Sequence, residues 1–230
     1  VIQNALLLGA AIPSTLLNGL LGYWKLDGNA NDALGANNGT LVGSGSWSTG
    51  IIGNAYLSAA ASYINLGDSA VLKPQSAITV AAWFYFTAIQ GANLRAVCDW
   101  HQNGGQDRWI LGYSPDGQTM IFHAFGINDT LGVIGSTISL NTWVHLAGTW
   151  SQATGQKVAY RNGAAVSTTP GLTGSLVAGS AGFPLCLGQQ YNAGAPVTGK
   201  VDEFGIWNRA LLASEVADLY NAGAGKTHPF

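Results

Sequence analysis

Between Trp100 and Trp109 the sequence reads HQNGGQDR, which sets His101, Gln102, Asn103, Asp107 and Arg108 between two indoles. A sugar ring presents C–H groups on its face and hydroxyls at its edge. An aromatic ring for the face, with amides, carboxylates and cations for the edge, is therefore the lining expected of a saccharide site. A second run, GQQYNAGAP, brings Gln190, Tyr191 and Asn192 in a similar mixture. The two runs are expected to meet on one rim or on the concave face of a β-sandwich. The plainer alternative is two polar loops with Trp100 and Trp109 turned inward.

A third stretch, DGNAND, spaces Asp27, Asn29 and Asp32 around a glycine. Such oxygens suit calcium, a hard ion that takes about six to eight oxygen ligands, backbone carbonyls included. No glutamate closes the loop and no helices flank it, which excludes an EF-hand. The alternative is that Asp27 and Asp32 cap turns.

Hydrolytic chemistry is poorly provided for. Glycoside hydrolysis generally needs two carboxylates facing each other across the scissile bond. Of the 11 acidic residues only Glu203 and Glu215 are glutamates, and both stand late in the chain. Asp99 and Asp107 flank the first polar run as a remaining dyad, against the ordinary role of loop aspartates in holding backbone N–H groups. His101, His123, His145 and His228 are accompanied by no G-x-S-x-G elbow and no reactive cysteine context, so a nucleophilic triad is not expected.

Composition narrows the rest. Hydrophobic residues make up 47% of the 230 residues and charged ones 9%, against roughly 25% charged in an average soluble domain. The polar surface must come from Ser, Thr, Asn, Gln and Gly, as in a loop-rich β protein. A net charge of -2 with no Lys or Arg cluster leaves no footprint for a nucleic-acid backbone or an anionic membrane. Cys98 and Cys186 form no CxxC pair and read as small buried hydrophobes, with a disulfide as the alternative. Residues 1–20 form an apolar arm that Pro13 interrupts, short of the roughly 20 residues a membrane span needs. The arm is expected to pack on the sandwich or on a neighbouring subunit, which would make the chain self-assemble; a retained signal segment is the other reading.

The elements that must position these residues are strands. From Tyr23 onward, short runs rich in Val, Ile, Tyr, Phe and Trp alternate with Gly, Asn, Asp and Ser clusters. Strands are expected at Leu21–Leu26, Gly39–Val42, Ala55–Leu57, Tyr63–Leu66, Ile78–Phe86, Ala96–Trp100, Trp109–Ser114, Thr119–Phe125, Val133–Ser136, Trp143–Trp150, Lys157–Arg161, Ala164–Thr168, Pro184–Gln189 and Gly199–Trp207. Asp116-Gly117 and Asn162-Gly163 supply the positive φ of tight hairpin turns. One short helix is expected near the end, with Ser214 as its N-cap and Gly223 as its stop. ITVAAWFYF and WVHLAGTW are apolar enough for a sheet interior, so the expected fold is all-β, a two-sheet antiparallel jelly-roll sandwich over residues 21–230.

Specific segments resemble a known family, the laminin-G-like jelly rolls of the concanavalin A-like lectin and glucanase superfamily. GYWKLDGNANDALGANNGTLVG, SYINLGDS, ITVAAWFYF, NTWVHLAGTW, KVAYRNGAAV, LCLGQ and GKVDEFGIWNRALLASEVADLYNAG follow the order of its elements. The resemblance implies the jelly-roll fold and a structural role for His145. It also implies a last-strand calcium ligand, Asp202, working with carbonyls of an early loop; the alternative is that Asp202 bonds nearby backbone. The E-x-D-x-x-E strand of the family's glucanases is missing. The expectation is a non-catalytic carbohydrate-binding or adhesion module, extracellular or displayed on a cell surface or virion, whose partner is a glycan or glycoprotein surface and which calcium would steady. A decoration protein assembling through its arm is the second expectation, and a glycoside-active enzyme the third.

Overall fold

A computed structural model describes residues 14–89, 95–100, 109–113, 119–129, 133–177, 182–189 and 197–230, and at 95–100 and 133–137 the backbone only. Its strands are β1 (Leu20–Trp24), β2 (Thr40–Val42), β3 (Ser46–Thr49), β4 (Asn54–Leu57), β5 (Tyr63–Asn65), β6 (Ala77–Phe86), β7 (Arg95–Trp100) and β8 (Trp109–Tyr113). There follow β9 (Thr119–Ala124), β10 (Val133–Thr137), β11 (Trp143–Ser151), β12 (Gln156–Arg161), β13 (Ala164–Thr169), β14 (Leu185–Leu187) and β15 (Gly199–Trp207), then the helix α1 (Ala213–Tyr220).

Two antiparallel sheets stack. The larger runs β13-β12-β11-β6-β15-β4-β3, with β1 also paired to β15; the smaller runs β10-β9-β8-β7-β14-β5-β2. Period-two alternation decides which side chains meet between them. Along β6, Ile78, Val80, Ala82, Phe84 and Phe86 enter the core between the sheets, while Ala81 joins a second cluster on the outer face with Leu16, Tyr23, Trp207, Val216 and Leu219. Both faces of β6 are thus covered, which is why the strand reads as a nearly unbroken apolar run. Trp24 stacks on Phe204 with ring centres 5.4 Å apart, and both side chains are fully buried.

The expected strands form, and the fold is the all-β jelly-roll sandwich with one short helix. Asn162 and Gly163 take φ of 50° and 76° in a two-residue hairpin that leaves Arg161 opposite Ala164. The other expected hairpin turn, Asp116-Gly117, lies outside the described residues. Three local readings need correction. Ser46–Thr49, left out of the expected strands, is a strand, because pairing with Asn54–Leu57 satisfies a backbone whose Gly and Ser neighbours signal a turn. The N-cap of α1 is Leu212 instead of Ser214, since the Glu215 carboxylate reaches back to accept the Leu212 N–H at 2.8 Å. The helix is ended by Asn221 at φ 48°, ahead of Gly223. Residues 15–20 of the expected arm belong to the folded body: the Trp207 indole N–H donates to the Leu16 carbonyl at 2.7 Å, and Leu16 is fully buried.

Candidate functional site

β15 organises the site. Along one side it pairs with β6. Along the other it pairs first with β4, Val201 opposite Tyr56, and then with β1, Phe204 opposite Trp24. Asp202 and Glu203 fall where the partner changes; there the register against β6 shifts and Glu203 takes φ of 50°. A left-handed non-glycine residue costs about 1–2 kcal/mol, which the flanking pairings must offset.

The bulge turns the two acidic side chains to different places. Asp202 grips the turn between β3 and β4: its Oδ2 accepts the N–H groups of Ile51 at 2.9 Å and Ile52 at 3.2 Å, and its Oδ1 accepts that of Glu203 at 3.0 Å. From the other side Asp27 Oδ1 accepts the Asn54 N–H at 2.7 Å. Gly50 and Gly53 permit this embrace, because a β-carbon on either would collide with the carboxylate it faces. Burial pushes the Asp202 carboxyl up to about 8, opposed by the backbone N–H groups it holds. Glu203 borders a narrow crevice with Tyr23, Trp83, His145 and Lys226. Burial pushes its carboxyl up to about 7, opposed by the neighbouring Tyr23 and Thr227 hydroxyls.

An open cleft lies beside this bulge. Its first wall is the loop after β1, which Asp32 folds: Oδ1 accepts the N–H groups of Tyr23 and Leu34, and Oδ2 accepts the N–H and side-chain amide of Asn37, at 3.0–3.4 Å. The Trp24 indole locks the loop's far end through a 2.9 Å bond to the Asn37 carbonyl. The second wall is the C-terminal tail, held where the Tyr23 hydroxyl donates to the Lys226 carbonyl at 3.0 Å and the Tyr23 ring meets Phe230 edge-on at 5.2 Å. Between them Lys25, Asp27, Asn29, Asn31, Asp32, His228 and Pro229 line about 460 Å³, within the roughly 300–1,000 Å³ typical of small-ligand sites. Burial, then the Lys25 charge, holds the His228 imidazole below its ordinary value, so a neutral ring faces the cleft at neutral pH.

Of the expected calcium ligands, Asp27, Asn29 and Asp32 share this cleft, whereas Asp202 lies behind the turn of residues 50–53. The arrangement does not fit a calcium cage. The Asp32 carboxylate already accepts four hydrogen bonds from N–H donors, and Asp202 accepts the N–H groups of Ile51, Ile52 and Glu203. Asp32 and Asp202 serve as backbone anchors. Among the described residues no three His, Cys, Asp or Glu side chains group to hold a metal ion.

The expected saccharide loops fare differently. His101, Gln102, Asn103, Asp107, Arg108, Gln190, Tyr191 and Asn192 lie outside the described residues, as does the side chain of Trp100. Trp109 is not a surface platform: it is fully buried in the core between the sheets, on the inward-facing set with Leu111 and Tyr113. The strand ends that carry the two loops are also apart. Trp100 pairs with Leu185 and Cys98 with Leu187 in antiparallel register, so Trp100 and Gln189 stand at opposite ends of the pair, about 13 Å apart at roughly 3.3 Å per residue. Lys25 and His228 are cleft residues that no motif marked, and Asn31 lies inside the DGNAND run without having been named as a ligand; the Tyr23–Phe230 contact that brings the tail to β1 leaves no signal along the chain.

A two-sheet antiparallel sandwich of this topology defines a lectin-type β-sandwich, and comparison with known proteins agrees. The chain belongs to the concanavalin A-like lectin/glucanases superfamily, whose laminin-G-type sequence profile matches residues 58–217. It is 30% identical to the mouse (Mus musculus) pentraxin-related protein PTX3 over 89 residues, 35% of this chain and 23% of that protein. It is 36% identical to the human (Homo sapiens) adhesion G-protein coupled receptor D1 over 85 residues, 36% of this chain. The matches thus span 23% and 10% of those proteins' lengths. Among solved structures, domain 4 of AbnA, a GH43 extracellular arabinanase from Geobacillus stearothermophilus in complex with arabinotriose, superposes with a TM-score of 0.71 at 20% identity, over 86% of this chain and 97% of that one. The binding domain of Paraclostridial Mosquitocidal Protein 1 follows at 0.69 and 17% identity, over 89% of this chain and 52% of that one. At such identities the likeness is one of fold.

Proposed function

We propose that the chain is a non-catalytic carbohydrate-binding module, working outside the cell, that takes a saccharide in the cleft between the Lys25–Ala33 loop and the His228-Pro229 tail. The cleft's lining carries the reading: the Asn29 and Asn31 amides, the Lys25 ammonium and the Asp27 carboxylate surround the space at a sugar's edge, and the neutral His228 ring offers a face for its C–H groups. The superfamily fold and the arabinotriose-bound domain of similar fold support it. The same lining speaks against hydrolysis. A glycosidase pair needs two available carboxylates; Asp32 is spent on N–H donors, which leaves Asp27 without a partner carboxylate among the described residues that line the cleft.

A panel of immobilised glycans tests this directly. Retention of the intact chain is expected on at least one glycan, and a variant carrying Lys25→Ala and Asn31→Ala should lose it while keeping its melting temperature. Retention on no glycan, or retention indifferent to both substitutions, would overturn the assignment.

A further inference from the structure

The outer face of the larger sheet carries two kinds of surface. Around Ala81, Ala147 and Trp207 it is closed by α1 and Leu16. Toward the start of β6 and the end of β11 the same face turns polar. Alternation along β11 puts Thr149 and Ser151 on the side of Ala147, and the ladder sets Ser151 between Ala77 and Gln156. Beside this row stand residues 209–213, pinned by Thr79, whose hydroxyl donates to the Arg209 carbonyl at 2.7 Å and accepts the Leu211 N–H at 2.8 Å. Row and segment enclose a groove of about 490 Å³, within the roughly 300–1,000 Å³ of small-ligand sites.

The two sides of the groove differ in kind. One offers the Ser151 and Thr154 hydroxyls and the Gln156 amide, with Thr154 and Gln156 exposed and Thr149, Val158 and Tyr160 buried beneath. The other offers Ala210, Ala213 and Leu212, the last 66% exposed. Neither side brings a free charge to a ligand. Among the described residues no carboxylate lines the groove, and its one cation, Arg209, is bound twice to Glu215 at 2.7 Å and once each to the Asn18 and Thr15 carbonyls.

We propose that this groove is a second binding site, for an uncharged saccharide bearing an N-acetyl group. A charged sugar gains little here, since Glu215 already neutralises the guanidinium. An acetamido substituent matches both sides: its amide both gives and takes a hydrogen bond, as the Gln156 side chain does, while its methyl packs on Leu212 and Ala213. Ring hydroxyls are left for Ser151 and Thr154. A sugar with hydroxyls alone would leave Leu212 in water. The lining shares no residue with the cleft of Lys25 and His228, so this assignment stands or falls apart from that one.

Titration of the isotope-labelled full chain with N,N′-diacetylchitobiose, followed by backbone amide shifts, tests it. Saturable shifts are expected at residues 151–156 and 210–213, and cellobiose, which lacks the acetamido groups, should bind at least about tenfold more weakly. Leu212→Ser removes the aliphatic side yet places a favoured residue at the N-cap of α1. It should therefore weaken the disaccharide at least about fivefold without lowering the melting temperature. Gln156→Ala, at an exposed position, should weaken it as well. Shifts absent or confined to residues 25–33 and 228, equal binding of cellobiose, or an affinity indifferent to both substitutions would overturn the proposal.

Discussion

The carboxylate of Asp32 accepts the backbone N–H of Tyr23 at 3.0 Å, nine residues back along the chain, and so ties the first wall of the cleft to the residue that also holds its second wall. Asp32→Ala strips the acceptor from the N–H groups of Tyr23, Leu34 and Asn37 together. A loss of about 2–4 kcal/mol is expected in chemical denaturation, with glycan retention falling before the fold does. Asp32→Asn, which keeps one acceptor oxygen, should lose less.

Calcium should leave the protein unmoved. With Asp32 saturated and the Ile51 and Ile52 amides against Asp202, millimolar calcium or its chelation is expected to shift the melting temperature by less than about 1 °C. A calcium-dependent rise that Asp202→Ala abolishes would restore the ion to the bulge.

Acid should weaken the fold through His145. The ring is buried against Trp83 at 5.3 Å, and burial pushes its imidazole down to about 3. Unfolding frees it to bind a proton with an ordinary value near 6.5, so the unfolded state takes up more protons between those limits. His145's contribution is complete above about pH 6.5 and is lost as pH falls toward 3. The stability difference between His145→Phe and the native chain should therefore shift in favour of the variant by a few kcal/mol from pH 7 to pH 4, at about 1.4 kcal/mol per pH unit at most. Parallel profiles would show the ring is charged in the folded state.

Arg209 and Glu215 form a forked pair that caps α1 and holds residues 15–18 together. Arg209 holds the Glu215 carboxyl down at about 2. Arg209→Lys keeps the charge but cannot reproduce the fork or both carbonyl contacts, so a drop of about 1–2 kcal/mol is expected by thermal denaturation.

Local chemistry was legible in the sequence and long-range enclosure was not. Asn162-Gly163 announces its hairpin because the φ requirement sits in those two residues, and β6 announces an interior strand because both of its faces are covered. Ser46–Thr49 was hidden, since its glycine and serine neighbours speak for a turn and only the partner strand speaks for pairing. Trp109 misled for a related reason: polar neighbours say nothing about which face of a strand an indole occupies. The cleft needed contacts such as Tyr23 with Lys226, 203 residues apart, which no spacing along the chain can convey.

The place of Gly199–Trp207 bears on how the molecule comes into being. This late strand lies between β6 on one side and β4 and β1 on the other, so it is the keel on which three much earlier pieces are joined. Until it leaves the ribosome, those pieces have exposed edges and no shared neighbour. The larger sheet therefore cannot close until Gly199–Trp207 has been made, and its folding should be slow, as befits pairings so distant in sequence.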